Sequence, residues 1–245
     1  MEISFNGKTA LVTGATKGIG REIAKQLVKC GADVIAVGRS DNDLESLKKE
    51  HPSIHTIKVD LKDWNATKDA LKDINNVDLL VNNAAIAIVE PILNILENSV
   101  DESFAINLKS IINLTQIVAK GLISRNAPGS IVNISSQASF RGVHDLGVYS
   151  STKGGVDAFT RVSAMEFGPH NIRVNSVNPT IVMTDMGRRT WSDPVKANAV
   201  RNRIPFKRFA EVNEVVDVVL FLLSEKASMV NGVSLPVDGG CTMVL

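Results

Sequence analysis

Lys8-Thr9-Ala10-Leu11-Val12-Thr13-Gly14-Ala15-Thr16-Lys17-Gly18-Ile19-Gly20 decides how this chain folds. Its first half is a short, continuously apolar run, the pattern of a strand covered on both faces, which argues for a parallel sheet. Its second half is a glycine-rich turn, after which Ile19 to Cys30 reads as a helix. Glycine reaches positive φ at no steric cost and lets another backbone or a ligand approach closely. Between a strand and a helix N-terminus, such a turn offers unpaired N–H groups and a favourable dipole to an anion. The spacing Gly-x3-Gly-x-Gly differs from the Gly-x-Gly-x-x-Gly dinucleotide fingerprint, and a glycine turn alone also serves purely structural ends. Its position makes it a nucleotide site, with Gly14, Thr16, Lys17, Gly18, Ile19 and Gly20 lining the phosphates.

Outward from this stretch, short β-branched runs alternate with helical patterns to the end of the chain. The expected strands are Lys8 to Thr13, Asp33 to Gly38, His55 to Asp60, Val77 to Asn82, Ser130 to Ser135, Arg173 to Asn178 and Val233 to Val237. The expected helices are Ile19 to Cys30, Asp43 to Glu50, Asp63 to Asn75, Asp101 to Arg125, Tyr149 to Gly168 and Asn213 to Ser224. Alternation of this kind means an α/β doubly wound, mostly parallel sheet of the Rossmann type, with helices on both faces and right-handed crossovers. No repeat or linker interrupts it, so residues 1–245 read as one domain.

Composition narrows the function. The 245 residues hold 27 Lys+Arg against 26 Asp+Glu, a net charge of +1, which argues against nucleic acid as the main partner. The most apolar stretch, Val215 to Leu223, contains Asp217 and is far too short to span a membrane. Met1 to Asn6 lacks the features of a secretory signal, so a cytoplasmic protein is expected and the Asn-x-Ser/Thr triplets at Asn65, Asn113 and Asn133 read as chance. Cys30 and Cys241 are the only cysteines, which excludes a disulfide framework. His51, His55, His144 and His170 have no metal-ligand spacing, so no metal is expected.

The end of the second strand selects the nucleotide. A free adenosine 2′-hydroxyl calls for an acidic residue there. This chain has Val37-Gly38-Arg39-Ser40 instead, with no acid before Asp41. Arg39 offers a forked pair to a 2′-phosphate, and Lys17 in the glycine turn a second charge. NADP(H) is therefore expected over NAD(H), although solvated surface cations would look the same in sequence.

Tyr149 is the only tyrosine, and Lys153 follows four residues later, on the same helical face. A phenol of pKa ~10 serves as an acid/base near neutral pH when a neighbouring positive charge stabilises its anion. Alone, a Tyr-x3-Lys pair is ordinary surface. Here Thr13-Gly14-x3-Gly18-Ile19-Gly20, Asn82-Asn83-Ala84-Ala85, Asn107, Ile134-Ser135-Ser136 and Tyr149-x3-Lys153 follow in order. Together they resemble the short-chain dehydrogenase/reductase family across essentially the whole chain.

The resemblance implies that Tyr149 is the acid/base, that Ser136 holds the substrate carbonyl, and that Lys153 binds the nicotinamide ribose and depresses the Tyr149 pKa. Asn107 would kink its helix and anchor a proton-relay water. Asp60 and Leu61 would meet adenine, Ser40 would sit with Arg39, and Asn83, Ala84 and Ala85 would line the cofactor. Pro179, Val182 and Thr184 would hold the carboxamide. Ala85 and Thr180 stand where the family more often has glycine, which alters backbone freedom beside the cofactor.

Further segments, from Val81 to Ala85, Ser135 to Gln137, Asn178 to Thr184, Thr190 to Pro194, Asn202 to Pro205 and Phe209 to Val212, narrow the likeness to reductases of small keto sugars and α-dicarbonyls. Gln137 is a candidate partner for a substrate hydroxyl or a purely local bond. Val143, His144 and Leu146 would shape the pocket, and Trp191 reads equally as lid or packing. The alternatives are a 3-oxoacyl-thioester reductase, with Arg201, Arg203, Lys207 and Arg208 facing an acidic carrier, and a cofactor-binding protein without turnover. The helices from Asp101 and Tyr149 are apolar nearly all round, which implies a homo-oligomer, a homotetramer by preference, unless a loop covers them.

Overall fold

The computed structural model describes residues 2–74 and 76–243. Met1, Val244 and Leu245, at the ends of the expected domain, and Asn75, the expected end of the third helix, lie outside the described residues. The strands are β1 (Thr9–Thr13), β2 (Asp33–Gly38), β3 (His55–Lys58), β4 (Leu79–Asn82), β5 (Gly129–Ile134), β6 (Ile172–Pro179) and β7 (Ser234–Val237). They form one sheet in the order β3-β2-β1-β4-β5-β6-β7, and every neighbouring pair is parallel. The chain builds outward from β1 to β3, then returns to the other side of β1 at β4. In such sheets the crevice outside the strands' carboxyl ends at this reversal is where ligands bind.

Nine α-helices cover the sheet among the described residues: α1 (Gly18–Lys29), α2 (Asp41–Glu50), α3 (Trp64–Leu71), α4 (Glu97–Phe104), α5 (Ser110–Ser124), α6 (Gly147–Phe167), α7 (Asp185–Thr190), α8 (Pro194–Arg201) and α9 (Val212–Leu223). Alternate residues of β1 enter different cores, as the two-residue period of a strand requires. Ala10 and Val12 pack with Ile23 and Leu27 of α1 and Val215 and Val219 of α9. Leu11 packs on the opposite face with Leu114, Val118 and Leu122 of α5. Every residue of β1 and β4 is buried, which explains why their sequences do not alternate.

The helix expected over Asp101 to Arg125 differs. It begins at Glu97, and a π-helical turn at Ala105–Lys109 separates α4 from α5. The chain also covers more of it than expected, with Ile106, Ile111, Leu114, Val118 and Leu122 buried and only Phe104 and Ile123 exposed among its large apolar side chains. Val162 and Met165 of α6 remain exposed, Met165 by 72 %. Asn113 and Asn133 are buried inside α5 and β5, inaccessible to any modifying enzyme. No helix is long and apolar enough to cross a membrane among the described residues.

Candidate active site

The residues singled out in the sequence meet along the carboxyl ends of β1, β4, β5 and β6. Gly14 and Gly18 adopt φ of +59° and +55° in the turn between β1 and α1. A Cβ on Gly14 would lie 3.0 Å from the Ala84 Cα, so only glycine lets the turn pass the end of β4. Thr13 and Asn83 fix this crossing. The Thr13 hydroxyl accepts from the N–H groups of Asn83 (3.0 Å) and Ala84 (3.1 Å). The Asn83 amide donates back to the carbonyls of Thr13 (3.0 Å) and Gly14 (3.2 Å). Asn83 thus shapes the cradle with both its side chain and its backbone N–H. A pyrophosphate fits the open turn at the start of α1, so the residues present suit a dinucleotide.

At the end of β2, Arg39 is exposed and makes no ion pair among the described residues. Lys17 is paired, through a 2.8 Å contact with Asp43. Ser40 caps α2 by accepting from the Asp43 N–H (3.3 Å). The Lys17 ammonium, with help from Ser40, holds the Asp43 carboxyl below its ordinary pKa. Asp60 is exposed and Leu61 buried just beyond β3, and Asp60 accepts from the Lys62 N–H (3.0 Å). Asp43 is therefore a resident of this corner that the sequence did not single out.

At the chemical end Lys153 and Asn107 are buried, and Ser136 and Tyr149 are partly buried. Tyr149 and Lys153 lie one turn apart near the start of α6, and the Lys153 Nζ stands 5.6 Å from the Tyr149 ring centroid. Lys153 is 1 % exposed and donates to the Ile134 carbonyl at 2.7 Å. Burial drops its pKa to about 8, opposed by the charge of Asp157. Ser136, two residues past the end of β5, accepts from the Ala138 N–H (3.1 Å) and caps a short 3-10 turn at Gln137–Ser139. Burial raises the Tyr149 phenol above its ordinary value, while the hydrogen bond with Ser136 pulls it back. This corrects the expected depression of the phenol within the protein itself: desolvation outweighs the neighbours, and the lysine leans on a carbonyl.

Asn107 is fully buried in the π-helical turn. Its amide donates to the Ile86 carbonyl (2.8 Å) and the Thr152 hydroxyl (3.1 Å), and its Oδ1 accepts from the Ile86 N–H (2.8 Å). It therefore ties the chain after β4 to α6, one residue before Lys153. Thr152 was not legible as a partner, because only the fold brings it to Asn107.

Pro179 ends β6, and Val182 and Thr184 begin the excursion that carries α7 and α8. Thr184 caps α7, accepting from the Gly187 N–H (3.1 Å). Paired backbone bonds clasp the excursion at its base, Met183 N–H to the Ala210 carbonyl (2.9 Å) and Ala210 N–H to the Ile181 carbonyl (3.0 Å). Ala197, Ile204, Phe209 and Cys241 form a small core there, flanked by Ile181, Met183, Trp191 and Val200, separate from the two sheet cores. Trp191 packs on Phe209 with ring centroids 5.6 Å apart. Val143 and Leu146 are partly buried on the loop before α6, and His144 is exposed. The Gln137 Oε1 is buried with no partner, so its purely local bond is not made. Half of the basic segment is engaged: Arg208 binds both carboxylate oxygens of Glu214 (2.6 and 2.7 Å), and Lys207 donates to the Asn202 carbonyl (2.7 Å). No cluster of metal-ligating side chains occurs among the described residues.

A family model described as enoyl-(acyl carrier protein) reductase matches residues 14–242. The chain is 56 % identical over 240 residues to an L-xylulose reductase of Bos taurus, covering 98 % of each chain. It is 50 % identical to carbonyl reductase [NADPH] 2 of Sus scrofa, again over 98 % of each. Among solved structures it is similar to a candidate 2-deoxy-D-gluconate 3-dehydrogenase of Agrobacterium tumefaciens with bound NADP, with a TM-score of 0.92, 33 % identity and 99 % coverage of each chain.

Proposed function

The chain belongs to the short-chain dehydrogenase/reductase family, and from that premise we propose that it is an NADPH-dependent reductase of small carbonyl compounds. Its foremost substrate is L-xylulose, reduced to xylitol, and α-dicarbonyls such as diacetyl are also accepted. The observation that carries the reading is the meeting of Ser136, Tyr149 and Lys153 at the carboxyl edge of the sheet, beside the Gly14–Gly18 cradle. Identity of 50 % and 56 % to two carbonyl-reducing relatives supports the substrate class.

NADPH, when bound, supplies the hydride. Gly14, Thr16, Gly18, Ile19 and Gly20 receive its pyrophosphate, Lys17, Arg39 and Ser40 its 2′-phosphate, and Asp60 and Leu61 its adenine. Asn83, Ala84 and Ala85 line its middle, and Pro179, Val182 and Thr184 take the carboxamide. Ser136 donates to the substrate carbonyl oxygen and holds it beside the Tyr149 phenol. The phenol, protonated at neutral pH, gives its proton to that oxygen. Lys153 would bind the nicotinamide ribose, and a water anchored at Asn107 would relay protons through Lys153 to solvent. Gln137, whose Oε1 is buried without a partner, accepts from a neighbouring substrate hydroxyl. Val143 closes the pocket.

Residues 1–245 work as one domain, as a cytoplasmic homotetramer. The exposed apolar side chains Val162 and Met165 of α6 support association, which sedimentation equilibrium measures. The engagement of Arg208 and Lys207 within the chain speaks against a basic face for an acyl carrier. The decisive experiment follows NADPH oxidation with L-xylulose, diacetyl and an acetoacetyl thioester. Turnover of the sugar and the diketone above the thioester is expected. A preference for the thioester would replace the reading, and NADPH binding without turnover of any of the three would end it.

A further inference from the structure

The reaction described above makes no use of one buried carboxylate. Asp157 is 4 % exposed and follows Lys153 by four residues, which stacks it with Lys153 and Tyr149 on one face of α6. Its Oδ1 accepts from the Ser176 hydroxyl (3.0 Å) and its Oδ2 from the Asn178 amide (2.9 Å). The same amide nitrogen donates to the Ser139 hydroxyl (2.9 Å) and the Ser136 carbonyl (3.3 Å). One side chain thereby links the helix carrying the acid/base pair to the turn carrying Ser136.

Asp157, one helical turn from Lys153, also offsets part of the desolvation of that buried ammonium. The other groups placed against Lys153 are uncharged: the Tyr149 phenol ring on its own helix, the Ile134 carbonyl, which accepts from its ammonium, and the Ser135 hydroxyl, which donates to its backbone carbonyl. A buried charge without an opposite charge nearby loses its proton at lower pH.

We propose that Asp157 is a positioning residue of the reductase centre, keeping Lys153 protonated through the working pH range and fixing the Ser136 turn against α6. The inference rests on the reading of Tyr149 and Lys153 as the acid/base pair. Asp157→Asn keeps the shape and one acceptor for Asn178 while removing the charge. In the cofactor-free protein carrying 13C-labelled lysine, the Lys153 Cε resonance, assigned through Lys153→Arg, should then titrate about one pH unit lower. The alkaline limb of the L-xylulose kcat/KM profile should move by the same amount, a loss of about tenfold near that limb and little at pH 6. Asn178→Ser, which frees the turn but retains the carboxylate, should leave the Lys153 titration in place and lower kcat equally at all pH values. An unchanged Lys153 titration in Asp157→Asn overturns the proposal, even if kcat falls. If Asp157→Asn does not fold, an undiminished kcat in Asn178→Ser overturns it. Wild type that reduces no carbonyl defeats the functional reading instead, and the resonance titration still judges Asp157.

Discussion

Lys17 and Lys153 bring the same ammonium group to the two ends of one crevice, and the chain treats them in opposite ways. The Lys17 side chain is 76 % exposed and rests on a carboxylate at the surface. Lys153 is buried, leans on a backbone carbonyl and has its pKa lowered to about 8. An exposed pair is screened by water and salt and exchanges partners at little cost. That suits the recognition of a phosphate that must arrive and leave. A buried group is held in one place by bonds that water cannot replace, which suits proton transfer to a fixed atom. Arg39, exposed and without an ion pair, belongs with Lys17, while Asn107 and Tyr149 belong with Lys153.

The contrast breaks most visibly at the buried end. Tyr149→Phe should bind NADPH nearly as wild type by fluorescence titration, yet lose about 10²-fold or more in kcat. A variant that kept most activity would remove the proton donor from the mechanism. Lys153 supplies the next test, through stability. Its folded pKa of about 8 lies below the ordinary lysine value of 10.5, so between these values the unfolded chain holds more protons and stability rises with pH. Urea titrations at pH 7 and 10 should show wild type gaining roughly 2 kcal/mol over Lys153→Met across that window. A parallel pH dependence in the two proteins would mean that Lys153 is not desolvated.

The exposed end should respond more gently. Arg39→Asp is expected to raise KM for NADPH about tenfold and to change KM for NADH far less. Equal effects on both would show that Arg39 does not read the 2′-phosphate. The smallest effect belongs to Lys17→Ala, about threefold on NADPH affinity and vanishing at high salt, because an exposed pair with Asp43 already occupies the ammonium. A salt-independent loss would place Lys17 on the buried side of the comparison.

The sheet was legible because its signal is local. Continuous apolar runs such as Leu79-Leu80-Val81 mark strands buried on both faces, and all seven lie where expected to within two residues at either end. The glycine turn and the Tyr149–Lys153 spacing are equally local. The π-helical turn at Ala105–Lys109 was legible only through the family resemblance, which implied that Asn107 kinks its helix; no periodicity reports it, and the partner of Asn107 there is Ile86, 21 positions away. Helices α7 and α8 were missed because short polar segments carry no apolar period. One signal was present in Asp193-Pro194, a capping side chain followed by proline at the first helical position. The direction of the Tyr149 shift depends on burial, which no spacing of residues reports.

The small core around Trp191 and Phe209 has a consequence for how this protein can change. The excursion between β6 and α9 packs Ala197, Ile204 and Phe209 with Cys241 and is clasped at its base by the bonds between Ala210 and the chain at Ile181 and Met183. Its sequence can be rewritten while the apolar interior of the sheet keeps its own composition, and the glycine cradle is not part of it. The excursion can thus drift in sequence apart from the two sheet cores, but its root cannot: a Cβ on Gly18 would lie 3.1 Å from the Thr184 methyl, which ties Thr184 to the glycine turn.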